Sequence, residues 1–184
     1  MKILDLNNKY GKSTILFDLV FFIVLLVLIL FSAFTTEYWL TICEVQQNSM
    51  QQTLNEGDII IVDKLAKIDR YDVIVFKDEK GELVVKRVLA MGGETIYCEN
   101  SEVYVEKIVN GQVVKTKLNE VYLKETTTNF EKVKVDNGEF FVVGDNRDVS
   151  YDSRAYGPIK KSQVKGVVHQ FFIDNKQFIT NFFS

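Results

Sequence analysis

The segment Gly144–Gly157, with the sequence GDNRDVSYDSRAYG, is the most informative stretch of this 184-residue chain. It directly follows the apolar run EFFVV at 139–143, and it carries three carboxylates, two guanidiniums, one amide and two serine hydroxyls. So many groups that can pair with each other predict a rigid polar network, able to orient a neighbouring catalytic group. An acidic calcium-binding loop is the alternative, but two arginines and the lack of regularly spaced oxygen ligands count against it.

Short β-branched and aromatic runs surround this segment and predict a mostly β fold. Each run is bounded by Gly, Asp or Asn, and we expect strands at 58–63, 72–76, 82–91, 139–143 and 164–173. Residues 100–137 alternate weak strands with polar turns, which predicts a peripheral lobe on the main β body. We expect no second amphipathic helix of convincing length after the N-terminal apolar segment.

That apolar segment predicts a transmembrane helix at residues 15–35. Its twenty residues from Ile15 to Phe34 contain one charge, Asp18. As a helix they would span about 30 Å, the hydrocarbon thickness of a bilayer. A cleaved signal peptide and a buried core helix are the alternatives, although the small residues at 32–33 are poorly arranged for cleavage.

The charges that flank the apolar segment predict its orientation. Three lysines precede it, whereas Glu37 is the first charge after it. Because basic residues stay on the cytoplasmic side, we expect a short cytoplasmic tail at 1–14 and an extracytoplasmic β-rich domain at 36–184. The protein is then a single-pass protein of the cytoplasmic membrane, with its N-terminus in the cytoplasm.

Composition excludes several classes of function. The formal charge is −3, which argues against a nucleic-acid partner because such proteins need a basic surface. The aromatic content of 12% supports a folded core. Two cysteines and the lone His169 make no credible zinc site, and we expect neither a metal nor a cofactor.

Two shorter stretches contain candidate reactive groups. Ser49 lies in NSMQQTL, fifteen residues after Phe34, which keeps it close to the membrane surface. Lys86 interrupts an apolar strand and shares a face with two valines, so that burial would favour its neutral form and make it a general base. The alternatives are an ordinary turn serine and a lysine whose head reaches water.

The order of these stretches after an N-terminal apolar segment resembles the type I signal peptidases, in their small bacterial form with one transmembrane segment. The resemblance rests on SMxxTL at 49–54, on Lys86-Arg87 and on GDNRDxSxDSRxxG at 144–157. Weaker similarity at 57–64 and 70–77 extends it over most of the predicted extracytoplasmic domain.

The resemblance implies a serine endopeptidase that removes signal peptides from exported preproteins through a Ser–Lys dyad. Ser49 would be the nucleophile and an oxyanion donor through its N–H, and Lys86 would be the general base. Ser150 would hydrogen-bond to the lysine and orient it. Supporting ion pairs are implied for Arg87, Asp145, Asp152 and Arg154. The implied partners are preproteins and the bilayer, and the implied state is a monomer.

Two departures from the family pattern affect the loop around the nucleophile. Gln52 stands where relatives have proline, and Gln47 stands where a small residue contributes to the oxyanion hole. If only rigidity is lost, Gln52→Pro should preserve or raise activity. The departures leave open a non-catalytic homologue that acts as an assembly or chaperone factor for surface proteins. A self-cleaving repressor-type regulator is disfavoured by the anchor and the negative charge.

Overall fold

The computed structural model describes residues 4–183, and the chain divides into two compact units, residues 1–40 and 41–184. The first three residues of the predicted cytoplasmic tail lie outside the described residues. Helix α1, Leu4–Tyr38, dominates the first unit and begins well before the predicted start at residue 15.

Residues Leu16–Thr35 of α1 are long and apolar enough to cross a bilayer. Their mean hydropathy is 3.0, and none of this stretch is buried inside the protein. A fully exposed apolar helix of this length is typical of a membrane span rather than of a core helix.

Eleven strands build the second unit, and together they confirm the predicted mostly β fold. They are β1 Leu40–Glu44, β2 Ile59–Asp63, β3 Val73–Lys77, β4 Leu83–Met91, β5 Glu94–Glu99, β6 Glu102–Val109, β7 Gln112–Lys117, β8 Phe130–Lys134, β9 Glu139–Val143, β10 Ile159–Lys160 and β11 Val164–Val168.

The larger sheet has seven strands in the order β1-β2-β11-β3-β4-β9-β10. Strand β4 lies between β3 and β9 and is antiparallel to both, with Lys86 opposite Ile74 and Arg87 opposite both Val73 and Val143. Alternation along β4 sends successive side chains to opposite faces of this sheet. Lys86 and Arg87 are buried on these two faces.

The smaller sheet has four antiparallel strands in the order β7-β6-β5-β8. It overlaps the predicted peripheral lobe at 100–137 but begins earlier, at Glu94. Its inner face shares a core with the larger sheet, through Ile96, Val105 and Phe141. Strands β4 and β5 are joined by Gly92 and Gly93, so the two sheets follow each other directly in the chain.

The C-terminal segment corrects two predictions. Strand β11 ends at Val168, and residues expected to continue it form helix α3, Gln170–Asp174. Val168 pairs with Val73, the first residue of β3, so the chain has no β3 partner beyond that point. An amphipathic helix α4, Lys176–Phe183, then follows, where we expected no such helix of convincing length; it has eight residues.

Candidate active site

Ser49 lies in a single 3₁₀ turn, Asn48–Met50, between β1 and β2. The next residue, Met50, is fully buried in the core beneath β2 and β3, which anchors the turn. The Ser49 carbonyl accepts a hydrogen bond of 3.0 Å from the N–H of Asn146, in the polar segment after β9. Gln47 has an extended backbone just before the turn and lines the same groove as Ser49.

Lys86 reaches this turn from β4. Its Nζ donates hydrogen bonds to Ser49 Oγ at 2.6 Å and to the Val85 carbonyl at 3.1 Å. The residue is only 1% exposed. This burial lowers the pKa of Lys86 from 10.5 to about 8, although the carboxylates of Asp152 and Asp145 oppose the shift. The neutral amine is therefore a minor form at neutral pH and becomes the major form above about pH 8.

Arg87 and Asp145 form a buried ion pair on the opposite face of β4. Arg87 donates from Nε to Asp145 Oδ1 at 2.9 Å and from its NH2 nitrogen to Oδ2 at 2.6 Å. Thr53 Oγ1 donates to the same carboxylate at 2.5 Å, and the guanidinium also stacks over the Tyr122 ring. The pair therefore joins β4, the polar segment and the loop that follows Ser49.

Asp152 and Arg154 form a second pair, which begins the short helix α2, Ser153–Tyr156. Arg154 Nε lies 2.8 Å from Asp152 Oδ1. Asp152 also accepts a hydrogen bond of 3.0 Å from the Gly144 N–H, so it joins the second half of the polar segment to its first residue. Each of the four residues named as supporting ion pairs thus lies in an Arg–carboxylate pair, Arg87 with Asp145 and Arg154 with Asp152.

Ser150 is close to the dyad but does not make the implied hydrogen bond to Lys86. Its Oγ is buried and has no hydrogen-bond partner among the described residues. The lysine is instead held by Ser49 and the Val85 carbonyl. A Cβ on Gly144 would overlap both Ser150 Oγ and the Ser49 carbonyl. Glycine is therefore required where the polar segment meets the nucleophile turn.

Arg147 is a site residue that the sequence analysis missed. Its side chain is fully buried, and it donates to the Gly144 carbonyl at 3.1 Å and to both oxygens of Glu120. Glu120 comes from the segment between β7 and β8, which has no strand or helix pattern. The fixed place of Arg147 in the GDNRD motif could have pointed to this residue. Nothing in the sequence around Glu120 marks it as the partner of Arg147.

A groove of about 560 Å³ opens beside Ser49 and Lys86. Its walls are mixed, with apolar surface from Phe76, Val84 and Ile159 and charged side chains from residues 78–80 and 82. Such a groove can hold an extended peptide with small side chains beside the serine. Among the described side chains, no group of three or more His, Cys, Asp or Glu residues is arranged to hold a metal ion.

The backbone at Gln52 has φ of +98°, in the region that favours glycine. Proline, whose φ is fixed near −65°, cannot adopt this conformation. The condition under which Gln52→Pro would preserve activity, that only rigidity is lost, is therefore not met, because this loop has its own geometry. The Gln52 side chain also accepts a hydrogen bond from the Lys124 N–H at 3.0 Å.

We expect Gln52→Gly to stabilise the protein by about 1 kcal/mol because it relieves the positive φ. Gln52→Pro should destabilise it by more than about 1 kcal/mol and lower activity. Denaturant unfolding of both variants measures the difference. A proline variant as stable as the parent would contradict the backbone geometry described here.

A serine hydroxyl within hydrogen-bond distance of a buried lysine is the arrangement that a serine hydrolase with a lysine base would need. The family model described as "Signal peptidase, peptidase S26" matches residues 16–173. Signal peptidase I V of Bacillus subtilis (strain 168) is 34% identical over 144 residues, which cover 68% of this chain and 81% of the relative. Given this match and these relatives, the chain belongs to the signal peptidase family S26.

Two further similarities are found. Signal peptidase I of Bacillus caldolyticus is 35% identical over 156 residues, which cover 75% of this chain and 82% of the relative. A crystal structure of a signal peptidase I from Enterococcus faecalis V583 is 32% identical, with a TM-score of 0.48, and covers 56% of this chain and 98% of that one.

Proposed function

We propose that this protein is a serine endopeptidase that removes N-terminal signal peptides from exported preproteins, with Ser49 as the nucleophile and Lys86 as the general base. The observation that carries the proposal is the 2.6 Å hydrogen bond between Lys86 Nζ and Ser49 Oγ. Membership of the signal peptidase family supports the substrate class. The alternative, a non-catalytic homologue, would have no need for a buried lysine against an exposed groove.

The acylation half of the reaction begins with neutral Lys86, which takes the proton of Ser49 Oγ. The oxygen attacks the carbonyl carbon of the scissile bond, and the developing oxyanion lies within reach of the Ser49 N–H. When the C–N bond breaks, the amine of the mature protein takes the proton from Lys86. The signal peptide is left as an ester on Ser49.

The deacylation half uses the same lysine again. Neutral Lys86 takes a proton from a water molecule, whose oxygen attacks the ester carbonyl. The ester C–O bond then breaks, Ser49 Oγ recovers the proton from Lys86, and the signal peptide leaves with a free carboxylate. The ion pairs of Arg87 with Asp145 and of Asp152 with Arg154 keep these groups in place.

The cellular setting follows from the apolar helix. With Leu16–Thr35 as a transmembrane anchor, the N-terminus is in the cytoplasm and residues 36–184 form an extracytoplasmic catalytic domain. The enzyme is then a monomer in the cytoplasmic membrane that meets preproteins at its outer face. It needs no metal, cofactor or nucleic acid for the chemistry described above.

A processing assay tests the proposal. The full-length protein is reconstituted into liposomes and incubated with several preproteins, and mass spectrometry identifies any new N-terminus. We expect cleavage at the boundary between signal peptide and mature protein. No processing of any preprotein would contradict the enzymatic function and favour the non-catalytic alternative.

The pH dependence of processing should report the ionisation of Lys86. Because only the neutral amine can accept the serine proton, kcat/KM should rise with pH and level off above an apparent pKa of about 8. A pH–rate profile from about pH 6 to about pH 10 measures this. A rate that is flat or falls with pH over this range would contradict Lys86 as the base.

A further inference from the structure

The C-terminal helix α4 has one face that packs on the rest of the second unit. Ile179 is 7% exposed, and Thr180 Oγ1 accepts a hydrogen bond of 2.9 Å from the Ile59 N–H at the start of β2. Lys176 Nζ donates to the Thr53 carbonyl at 2.5 Å and pairs with Asp58 at 2.9 Å. These contacts fix both the position and the rotation of the helix.

The other face of α4 is aromatic and exposed among the described residues. Phe178 and Phe182 are four residues apart, which places them on one side of the helix, and each is 74% exposed. Phe171 in α3 and Phe183 at the end of α4 extend the exposed aromatic surface. We call these four phenylalanines the C-terminal aromatic patch. Exposed apolar surface of this kind marks a site of interaction.

Helix α4, which carries three of the four phenylalanines of the patch, lies outside the segment that the family model matches. The family model matches residues 16–173, and α4 begins at Lys176. The packed face of α4 contacts β2 and, through Lys176, the loop that follows Ser49. The four phenylalanines, in contrast, do not line the groove beside Ser49 and Lys86, so peptide cleavage gives no reason for their exposure.

The covalent chain favours a bilayer as the partner of the patch. Only five residues lie between Thr35, where the apolar segment of α1 ends, and Thr41, where the second unit begins. Such a tether spans at most about 20 Å, so it holds β1 near the membrane surface. Strand β2 is the neighbour of β1, and α4 packs on β2.

We propose that α4 lies in the lipid–water interface and inserts the C-terminal aromatic patch among the acyl chains, as a second membrane contact. This inference goes beyond the proposed function and rests on its membrane anchoring. An amphipathic helix with phenylalanines on its apolar face suits this position. The chain after residue 35 carries a net charge of −4, so apolar burial rather than attraction to anionic lipid drives the contact.

Quenching of tryptophan by brominated acyl chains tests the contact in the full-length protein. Trp39 is the only tryptophan, so Trp39→Phe provides a background without one. Phe182→Trp in this background reports on α4, and Phe178→Trp is a second reporter on the same face. Glu131→Trp, at an exposed position of β8, is the matched control. Each variant is reconstituted into phosphatidylcholine vesicles with brominated acyl chains.

We expect brominated lipid to remove about half of the fluorescence from a tryptophan at position 182 or 178, and less than about a tenth from one at position 131. Because the contact is apolar, neither high salt nor added phosphatidylglycerol should change this quenching. Equal, weak quenching at all three positions would overturn the proposal. Blue-shifted but unquenched emission at 182 would mean that protein, such as a second copy, covers the patch, and would also overturn it.

Processing of a preprotein in the same vesicles separates the two proposals. Active variants without quenching at 178 and 182 would overturn the lipid contact and leave the proposed function intact. Quenching in a protein that processes no preprotein would support the lipid contact and contradict the proposed function.

Discussion

Lys86→Met should abolish preprotein processing and at the same time stabilise the fold. The loss of the general base should lower kcat/KM by at least about a thousandfold. Methionine has a similar length and no charge, so it removes the penalty of burying an ammonium group. The shift of the Lys86 pKa from 10.5 to about 8 corresponds to about 3 kcal/mol of unfolding free energy below pH 8.

The pH dependence of this stabilisation has a definite sign. Below pH 8 the lysine is charged in both states, so the parent carries the full burial penalty. Between pH 8 and 10.5 the folded protein holds the neutral amine while the unfolded chain still binds a proton, so the parent becomes more stable as pH rises. The advantage of Lys86→Met should therefore shrink by about 2 kcal/mol between pH 7 and pH 10.

Denaturant unfolding at several pH values, together with the processing assay, measures both effects. Lys77→Met, at an exposed position of neighbouring β3, is the control and should change neither stability nor rate. A Lys86→Met variant that still processes preproteins would remove Lys86 from the mechanism. A variant less stable than the parent at pH 7 would show that burying the charged Lys86 does not destabilise the fold.

Arg87→Met should have the largest effect on stability. It leaves the Asp145 carboxylate fully buried without its bidentate partner, which costs about 3–5 kcal/mol. Because Asp145 also accepts from Thr53, the loop after the nucleophile should loosen and processing should fall in the molecules that remain folded. Chemical denaturation and the processing rate below the unfolding transition measure the two effects.

Two comparisons make this prediction specific. Lys67→Met breaks the exposed pair with Asp69 and should change stability by less than about 1 kcal/mol. Arg87→Met combined with Asp145→Leu removes both buried charges and should recover much of the stability lost by Arg87→Met alone. If Arg87→Met were as mild as Lys67→Met, the buried pair would not hold the site together.

The sequence allowed the dyad candidates to be found because their signals are local. Ser49 and Lys86 stand in short motifs, and strand alternation predicted that Lys86 and Arg87 face opposite sides. The structure brings Lys86 Nζ to Ser49 Oγ although the two residues are 37 positions apart. The buried partnership of Arg147 with Glu120 could not be predicted in this way, because the contact depends on how an irregular segment folds back onto the motif.

The remaining differences have a similar origin in tertiary structure. Phe171 and Ile173 continue a β-branched and aromatic run, and their side chains suit a strand or a helix equally. Only the end of the pairing between β11 and β3 at Val168 determines that a helix follows. Likewise, the positive φ at position 52 could not be predicted, because glutamine rarely adopts this conformation.

The covalent intermediate gives the most direct test of Ser49 as the nucleophile activated by Lys86. The full-length protein in liposomes is mixed with a preprotein, quenched in acid before steady state and digested, and the peptides are analysed by mass spectrometry. We predict that the signal peptide is attached as an ester to the peptide that contains Ser49, and that Ser49→Ala yields neither this ester nor processed product. Processing by Ser49→Ala at the parent rate would contradict the account.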